Sequence, residues 1–238
     1  MKETEFTELT ILMPCLNESR SLGWCLKEGK EYVRTSGISA EIVVADNGST
    51  DESCRIAREW GARVVEVSKK GYGNALIAGI GESKGKYIIM GDCDGSYDFS
   101  QCGLILEKLR EGYGLVVGNR YLGGIEKGAM PFLHRYLGVP VLSLMGRWRY
   151  GVDIGDFHCG IRGFDREKAL RLNLRCGGME FATEMIGKFA QAGESVCQVP
   201  AKLRKDRRAG PSHLRAVPDG WRHVRVMLSG EGQKGELL

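Results

Sequence analysis

Two carboxylates one residue apart, Asp92 and Asp94, stand in the turn GDCDGSYD (91–98), directly after the apolar run Tyr87-Ile88-Ile89-Met90. The run reads as a buried strand leaving its sheet, and strand carboxyl ends are where open α/β sheets bind ligands. Carboxylates spaced i, i+2 on a turn can share one hard cation and, through it, hold a diphosphate. The same residue types also cap helices and bond their own turns, so context must decide. Two earlier apolar runs end the same way: Leu9–Met13 runs into Pro14–Ser19, and Glu41–Ala45 into Asp46–Asp51. In a parallel sheet these polar turns lie on one edge and face one crevice. Asp46 can accept bonds from a base or ribose there, while Asp92 and Asp94 hold the cation that bridges the phosphates.

The elements that must position these turns follow from the pattern. Strands are expected at 9–13, 41–45, 63–67, 86–90 and 115–117, alternating with helical stretches to about Ser36, through Trp60, from Gly71 to about Ser83, and over Gln101–Arg110. That alternation predicts βαβ units and a mostly parallel sheet. The second half is less regular, with a helix over Glu180–Ala192 and a strand over Ser195–Leu203. Asp219–Leu228 fits an amphipathic helix with Trp221, Val224 and Leu228 on one face. The sequence Gly71-Tyr72-Gly73-Asn74 before a helix resembles a dinucleotide-binding loop, but Leu76 occupies its final small-residue position, so that fingerprint fails.

At 238 residues, 42% hydrophobic and 27% charged, the chain has the composition of a globular protein with a substantial core. Its eight cysteines show no CxxC pair or metal-ligand spacing, and several fall in apolar runs, which predicts free, reduced, cytoplasmic thiols. His134, His158, His213 and His223 share no metal spacing either, and surface or packing roles are expected for them. No leader is read in the polar start Met1–Glu8, and no run reaches the roughly 18 apolar residues of a spanning helix. The longest candidate, Pro131–Tyr150, is interrupted by His134, Arg135, Arg147 and Arg149. The net charge of +4 is local: Leu203–Arg225 carries seven basic residues against two acidic ones. Such a strip suits an anionic partner, whether phosphate ligand or lipid headgroup. A nucleic-acid role is not expected, because no nucleic-acid-binding module accompanies it. The expected organisation is one domain over 1–202 with a basic, amphipathic, membrane-proximal appendage over 203–238.

Seven segments stand in the order expected of one family: TILMPCLNES (10–19), EIVVADNGSTD (41–51), KKGYGNAL (69–76), GDCDGSYD (91–98), GNRY (118–121), DFHCGIRGF (156–164) and MEFATEM (179–185). Over roughly residues 9–228 the chain resembles a GT-A-fold, family-two glycosyltransferase of the polyprenyl-phosphate type, similar to dolichyl-phosphate mannose and glucose synthases. The resemblance implies a mostly parallel central sheet flanked by helices. It also implies inverting transfer of a hexose from UDP-glucose or GDP-mannose to a polyprenyl or dolichyl phosphate. Pro14, Asn17, Glu18, Asp46 and Asn47 would then bind the donor's nucleoside side, with Asp92 and Asp94 holding Mg²⁺ or Mn²⁺ against its diphosphate. Arg120, Arg135, Lys205, Arg207 and Arg208 would receive the acceptor phosphate or steady the departing diphosphate. Asp94, Asp156 and Arg162 are the expected catalytic residues, with Glu180 and Glu184 on the helix beneath.

An acceptor phosphate is already anionic near neutral pH, so such chemistry needs no strong base; it needs positioning and charge neutralisation. Two features depart from the family pattern. Many relatives continue into transmembrane helices, which makes a peripheral protein on the cytoplasmic face of a membrane, or the partner of a separate membrane subunit, the expectation here. Ser96 stands where some relatives carry glutamine, leaving the third metal ligand to Asp98 or water. Other readings of the sequence are a transferase with a soluble acceptor and a non-catalytic, membrane-associated transferase-like subunit. A haloacid-dehalogenase-type phosphatase also places DxD after a strand, but after its first strand rather than deep in the chain.

Overall fold

In the computed structural model the described residues are 6–208 and 216–229; His213, Arg215 and the tail beyond 229 lie outside them. Among the described residues seven strands form one sheet: β1 (Leu9–Cys15), β2 (Ala40–Asp46), β3 (Arg63–Glu66), β4 (Tyr87–Met90), β5 (Leu115–Asn119), β6 (Arg162–Asp165) and β7 (Val196–Pro200). Their order is β3-β2-β1-β4-β6-β5-β7. Every pairing is parallel except those of β6, which runs antiparallel to both β4 and β5.

β1 is buried at all seven positions, as its apolar sequence, broken only by Thr10, requires of a strand covered on both faces; the Thr10 hydroxyl donates to Glu41 Oε1 at 2.9 Å. Helices α1 (Leu22–Ser36), α2 (Ser53–Glu59), α3 (Tyr72–Glu82) and α4 (Cys102–Arg110) connect the first five strands. A short α5 (Arg120–Gly123) follows β5, α6 (Val139–Tyr150) precedes β6, and α7 (Arg166–Arg171), α8 (Phe181–Gln191) and α9 (Ala216–Leu228) complete the described helices. The antiparallel strand β6 reads Arg-Gly-Phe-Asp and lacks both alternation and β-branched residues, so nothing in its sequence announces a central strand. Its position depends on Gly163, where a Cβ would come within 2.3 Å of Ile105 Cγ2 on α4.

Residues assigned to an appendage by sequence pack on the domain. Leu203 N donates to Gly124 O at 2.9 Å, and Arg204 N and Arg207 N donate to Ser96 O and Asp94 O at 2.9 and 2.7 Å. Helix α9 lies against α6 and α8. Its amphipathicity is the reverse of a simple hydrophobic stripe. Asp219, His223 and Met227 are buried, whereas Trp221 and Leu228, expected together on its apolar face, are exposed. The inward polar groups are accommodated because α8 supplies Thr183, whose hydroxyl lies 2.7 Å from His223 Nδ1. No helix among the described residues is long and apolar enough to cross a membrane.

Candidate active site

The strand order sets β2, β1 and β4 side by side, so their three carboxyl-end turns converge on one cavity of about 980 Å³. Pro14, Glu18, Asn47, Asp92, Asp94 and Arg208 all contribute to its wall. Asp92 is half-buried and Asp94 buried. Asp92 Oδ1 accepts from Tyr72 Oη at 2.8 Å, and a Cβ on Gly160 would sit 2.3 Å from Asp92 Oδ2. Position 160 must therefore be glycine for the carboxylate to occupy its place. Burial, then the charge of Asp94, pushes the Asp92 carboxyl up to about 6, against the Tyr72 bond and the cations Arg208 and Arg120. Asp94 Oδ1 accepts from Ser96 N at 2.8 Å, while its Oδ2 is held by the Arg208 guanidinium.

Two carboxylates side by side in a cavity wall call for a cation, and these residues fit one. Among the described residues no group of three or more His, Cys, Asp or Glu side chains converges on a metal position. Asp98, a possible third ligand by sequence, instead caps the next turn by accepting from Ser100 N and Oγ at 2.9 and 2.6 Å. A two-carboxylate site that leaves its other positions to phosphate oxygens and water is the arrangement Mg²⁺-type ions prefer beside nucleotides.

The donor-side residues divide into wall and frame. Asn17, in the left-handed region at φ 57°, accepts from Thr50 N at 2.8 Å. Asp46 accepts from the N–H groups of Gly48 and Ser49 at 3.0 and 3.1 Å. Neither Asn17 nor Asp46 reaches the cavity wall; both are committed to shaping their loops. Asn47 lines the cavity and also holds segment 67–71, donating to Lys69 O at 2.9 Å and accepting from Gly71 N at 2.6 Å. Glu18 accepts from Ser21 Oγ at 3.0 Å, and its carboxyl is raised by burial with Arg208 opposing.

Several residues expected to act on substrate are already engaged. Arg120 Nε and Nη2 donate to Asp156 Oδ2 and Oδ1 at 2.6 and 2.7 Å, a buried bidentate pair. Asp156 is fully buried and outside the cavity wall, where it holds Arg120 and its own loop. Arg162 borders the cavity, but it too is fully buried, and its guanidinium donates to the carbonyls of Cys159, Ala182 and Phe157 at 2.6, 2.9 and 3.2 Å. Burial lowers its pKa. Its geometry is that of a brace between loop 156–161 and α8. Glu184 accepts from Arg175 N and Cys176 N at 2.9 and 2.8 Å and so shapes the loop beneath α3.

Among the expected phosphate-binding residues, Arg120 and Arg208 line the cavity, whereas Arg135, Lys205 and Arg207 lie outside its wall. Arg207 stacks on the Trp24 ring at 3.9 Å, Lys205 N donates to Glu126 Oε2 at 3.2 Å, and Arg135 lies 5.3 Å from the Tyr136 ring centroid.

Sequence reasoning missed Tyr72, Tyr97 and the His158–His223 contact. Tyr97 Oη accepts from Gly160 N at 2.8 Å, fixing the glycine that admits Asp92. The two imidazoles meet edge to face at 4.3 Å although they are far apart in sequence. Both stay neutral: burial, His223, Arg120 and Arg162 depress His158, and burial lowers His223 to about 4, with Asp219 opposing and Arg162 reinforcing. A histidine depressed in the folded state makes the unfolded chain the better proton acceptor. Stability is therefore full above about pH 6.5 and lost as the pH falls toward about 4, by about 3 kcal/mol for His223. Urea denaturation of His223→Asn, which retains a polar partner for Thr183, is expected to show a shallower loss over that window; an unchanged acid slope would exclude His223 as its source.

The matching protein-family model is described as Glycosyl transferase family 2 and covers residues 10–172. The chain belongs to that family. The chain is 39% identical over 222 residues to the low-salt glycan biosynthesis hexosyltransferase Agl6 of Haloferax volcanii, covering 92% of the chain but 53% of that relative. It thus spans about half the length of that protein. It is 29% identical to the dolichyl-phosphate hexose transferase of the same organism, over 90% of both chains. In solved structures the fold recurs in glucosyl-3-phosphoglycerate synthase from Mycobacterium tuberculosis in complex with Mn²⁺, UDP and glucosyl-3-phosphoglycerate. That match has TM-score 0.70 at 21% identity, covering 94% of this chain and 79% of that one. The GT-A architecture that the family resemblance implied is the one found.

Proposed function

We propose that the chain transfers a hexose, with inversion, from UDP-glucose or GDP-mannose to a polyprenyl or dolichyl phosphate, with Mg²⁺ or Mn²⁺ at Asp92 and Asp94. The observation that carries this reading is a carboxylate pair in the wall of a large cavity, Asp94 buried and Asp92 half-buried, met by one arginine and, among the described residues, joined by no third ligating side chain. A divalent cation bound there supplies charge neutralisation for the departing nucleoside diphosphate. Pro14, Glu18 and Asn47 bound the nucleoside end, on a frame held by Asn17 and Asp46. Arg208, close enough to pair with Asp94, is also within reach of a diphosphate lodged against that carboxylate. The Arg120–Asp156 pair and Arg162 hold loop 156–161 against the site, which fixes Gly160 and hence Asp92.

The acceptor side is supported by an exposed apolar surface bordering the cavity. Phe132, Leu133, Leu137, Leu144 and Trp148 all present side chains to solvent, Trp148 at 87% exposure, with Arg135 and Arg147 among them. Aromatic and aliphatic side chains interleaved with arginine suit the interface of an anionic bilayer. We assign the protein to a peripheral position on the cytoplasmic face, where Arg135 meets the phosphate of a lipid acceptor. A donor screen against a short polyprenyl phosphate, with Mn²⁺ and with chelator, tests this. Glycolipid formed only with the cation is expected; transfer solely to water-soluble acceptors would replace the acceptor assignment.

A further inference from the structure

We propose that Cys15 and Cys93 form a redox-sensitive dithiol at the floor of the cavity, which a peroxide converts to a disulfide that disables the carboxylate turn. This goes beyond sugar transfer and concerns chemistry of the thiols themselves. Strands β1 and β4 pair in parallel with Leu12 opposite Met90, and continuing that register sets Cys15 opposite Cys93. Cys93 Sγ donates to Pro14 O at 3.1 Å, which sets it against the backbone of the residue before Cys15. Both cysteines are free and both line the cavity, whereas Cys25 and Cys102 are fully enclosed and do not. Neighbouring strands lie about 4.8 Å apart, inside the roughly 4.4–6.8 Å window of Cα separations that a disulfide spans.

One thiol sulfur attacks a peroxide oxygen; the O–O bond breaks, a sulfenic acid forms and, with hydrogen peroxide, water leaves. The second thiol then attacks the sulfenic sulfur, forming the S–S bond and releasing another water. The two sulfurs together lose two electrons, the peroxide gains two, and both thiol hydrogens leave in the waters. Cys93 lies between Asp92 and Asp94. Drawing its sulfur onto Cys15 takes it from the Pro14 carbonyl and re-aims the carboxylates on either side.

The test uses the folded wild-type chain, exposed to hydrogen peroxide, blocked with iodoacetamide and digested without reductant. A peptide joining residues 15 and 93 is expected, lost on treatment with dithiothreitol and absent from Cys15→Ser and Cys93→Ser. Calorimetric Mn²⁺ affinity is expected to fall about tenfold on oxidation, comparable to losing a residue that orients a ligand, and to return on reduction. Recovery of both cysteines alkylated, or as separate sulfinic acids, would overturn the dithiol. A cross-link that leaves Mn²⁺ affinity unchanged would overturn its effect on the turn. Because the cross-link is read by mass, its failure is distinct from a failure of the transferase reading.

Discussion

Asp92→Asn is expected to lower metal-dependent hexose transfer by about 10²–10³-fold, the usual loss when a preorganised charge-stabilising group is removed, while making the metal-free protein more stable. The two effects share one cause. At neutral pH the half-buried carboxylate is ionised beside Asp94, and its folded-state carboxyl is raised from 3.8 to about 6. A raised acid is favoured by folding only while protonated. Its cost is absent below about pH 3.8 and complete above about 6, on the order of 2 kcal/mol. Asparagine keeps an oxygen to accept from Tyr72 and removes the charge. Thermal melts in chelator at pH 8 should show the variant melting above the wild type by several degrees, with the difference closing near pH 4. Cation-dependent turnover at the wild-type rate in this variant would remove Asp92 from the metal site.

The second large effect concerns folding. Arg120→Met is expected to cost about 3–5 kcal/mol, because it strands the Asp156 carboxylate in the interior without its partner. Asp156 is fully buried, and besides the Arg120 guanidinium its donors among the described residues are the backbone N–H groups of Arg120 at 3.2 Å and His158 at 3.3 Å. The double variant Arg120→Met/Asp156→Asn removes both charges and is expected to recover much of that loss, since replacing a buried pair by neutral groups of similar volume is often close to neutral. Urea midpoints for the two singles and the double form a cycle that reads the coupling directly. Additive losses would mean that the pair is not acting as a unit. Recovered stability without recovered transfer would show that the pair also fixes loop 156–161 for function.

What the sequence discloses and what it conceals divides along locality. The Tyr87–Met90 run and the acidic turn after it are adjacent, so strand, turn and carboxylate pair are legible together, as are the turns after β1 and β2. The partner of Asp156 is not legible. Arg162 shares its motif and would be the natural choice, but the bond goes to Arg120, 36 residues away, because β5 ends beside loop 156–161. Strand β6 is hidden for a related reason: its arginine and glycine are there for neighbours on α4 and α8 and contribute nothing to strand propensity. Asp46 is visible as a strand-end acid, yet its nearest donors are backbone N–H groups of its own turn. Helix α9 was legible as amphipathic but not in which face it buries, since that depends on the hydroxyl of Thr183 and the imidazole of His158 across the packing.

The claim that the other assignments depend on is that Asp92 and Asp94 bind the donor's diphosphate through a divalent cation. Calorimetric titration of UDP-glucose and GDP-mannose into the protein, with Mn²⁺ and then with chelator, tests it most directly. One of the two donors should bind with Mn²⁺ present and lose at least about tenfold in affinity without it. Equal affinity in chelator, or no binding of either donor with Mn²⁺ present, would contradict it.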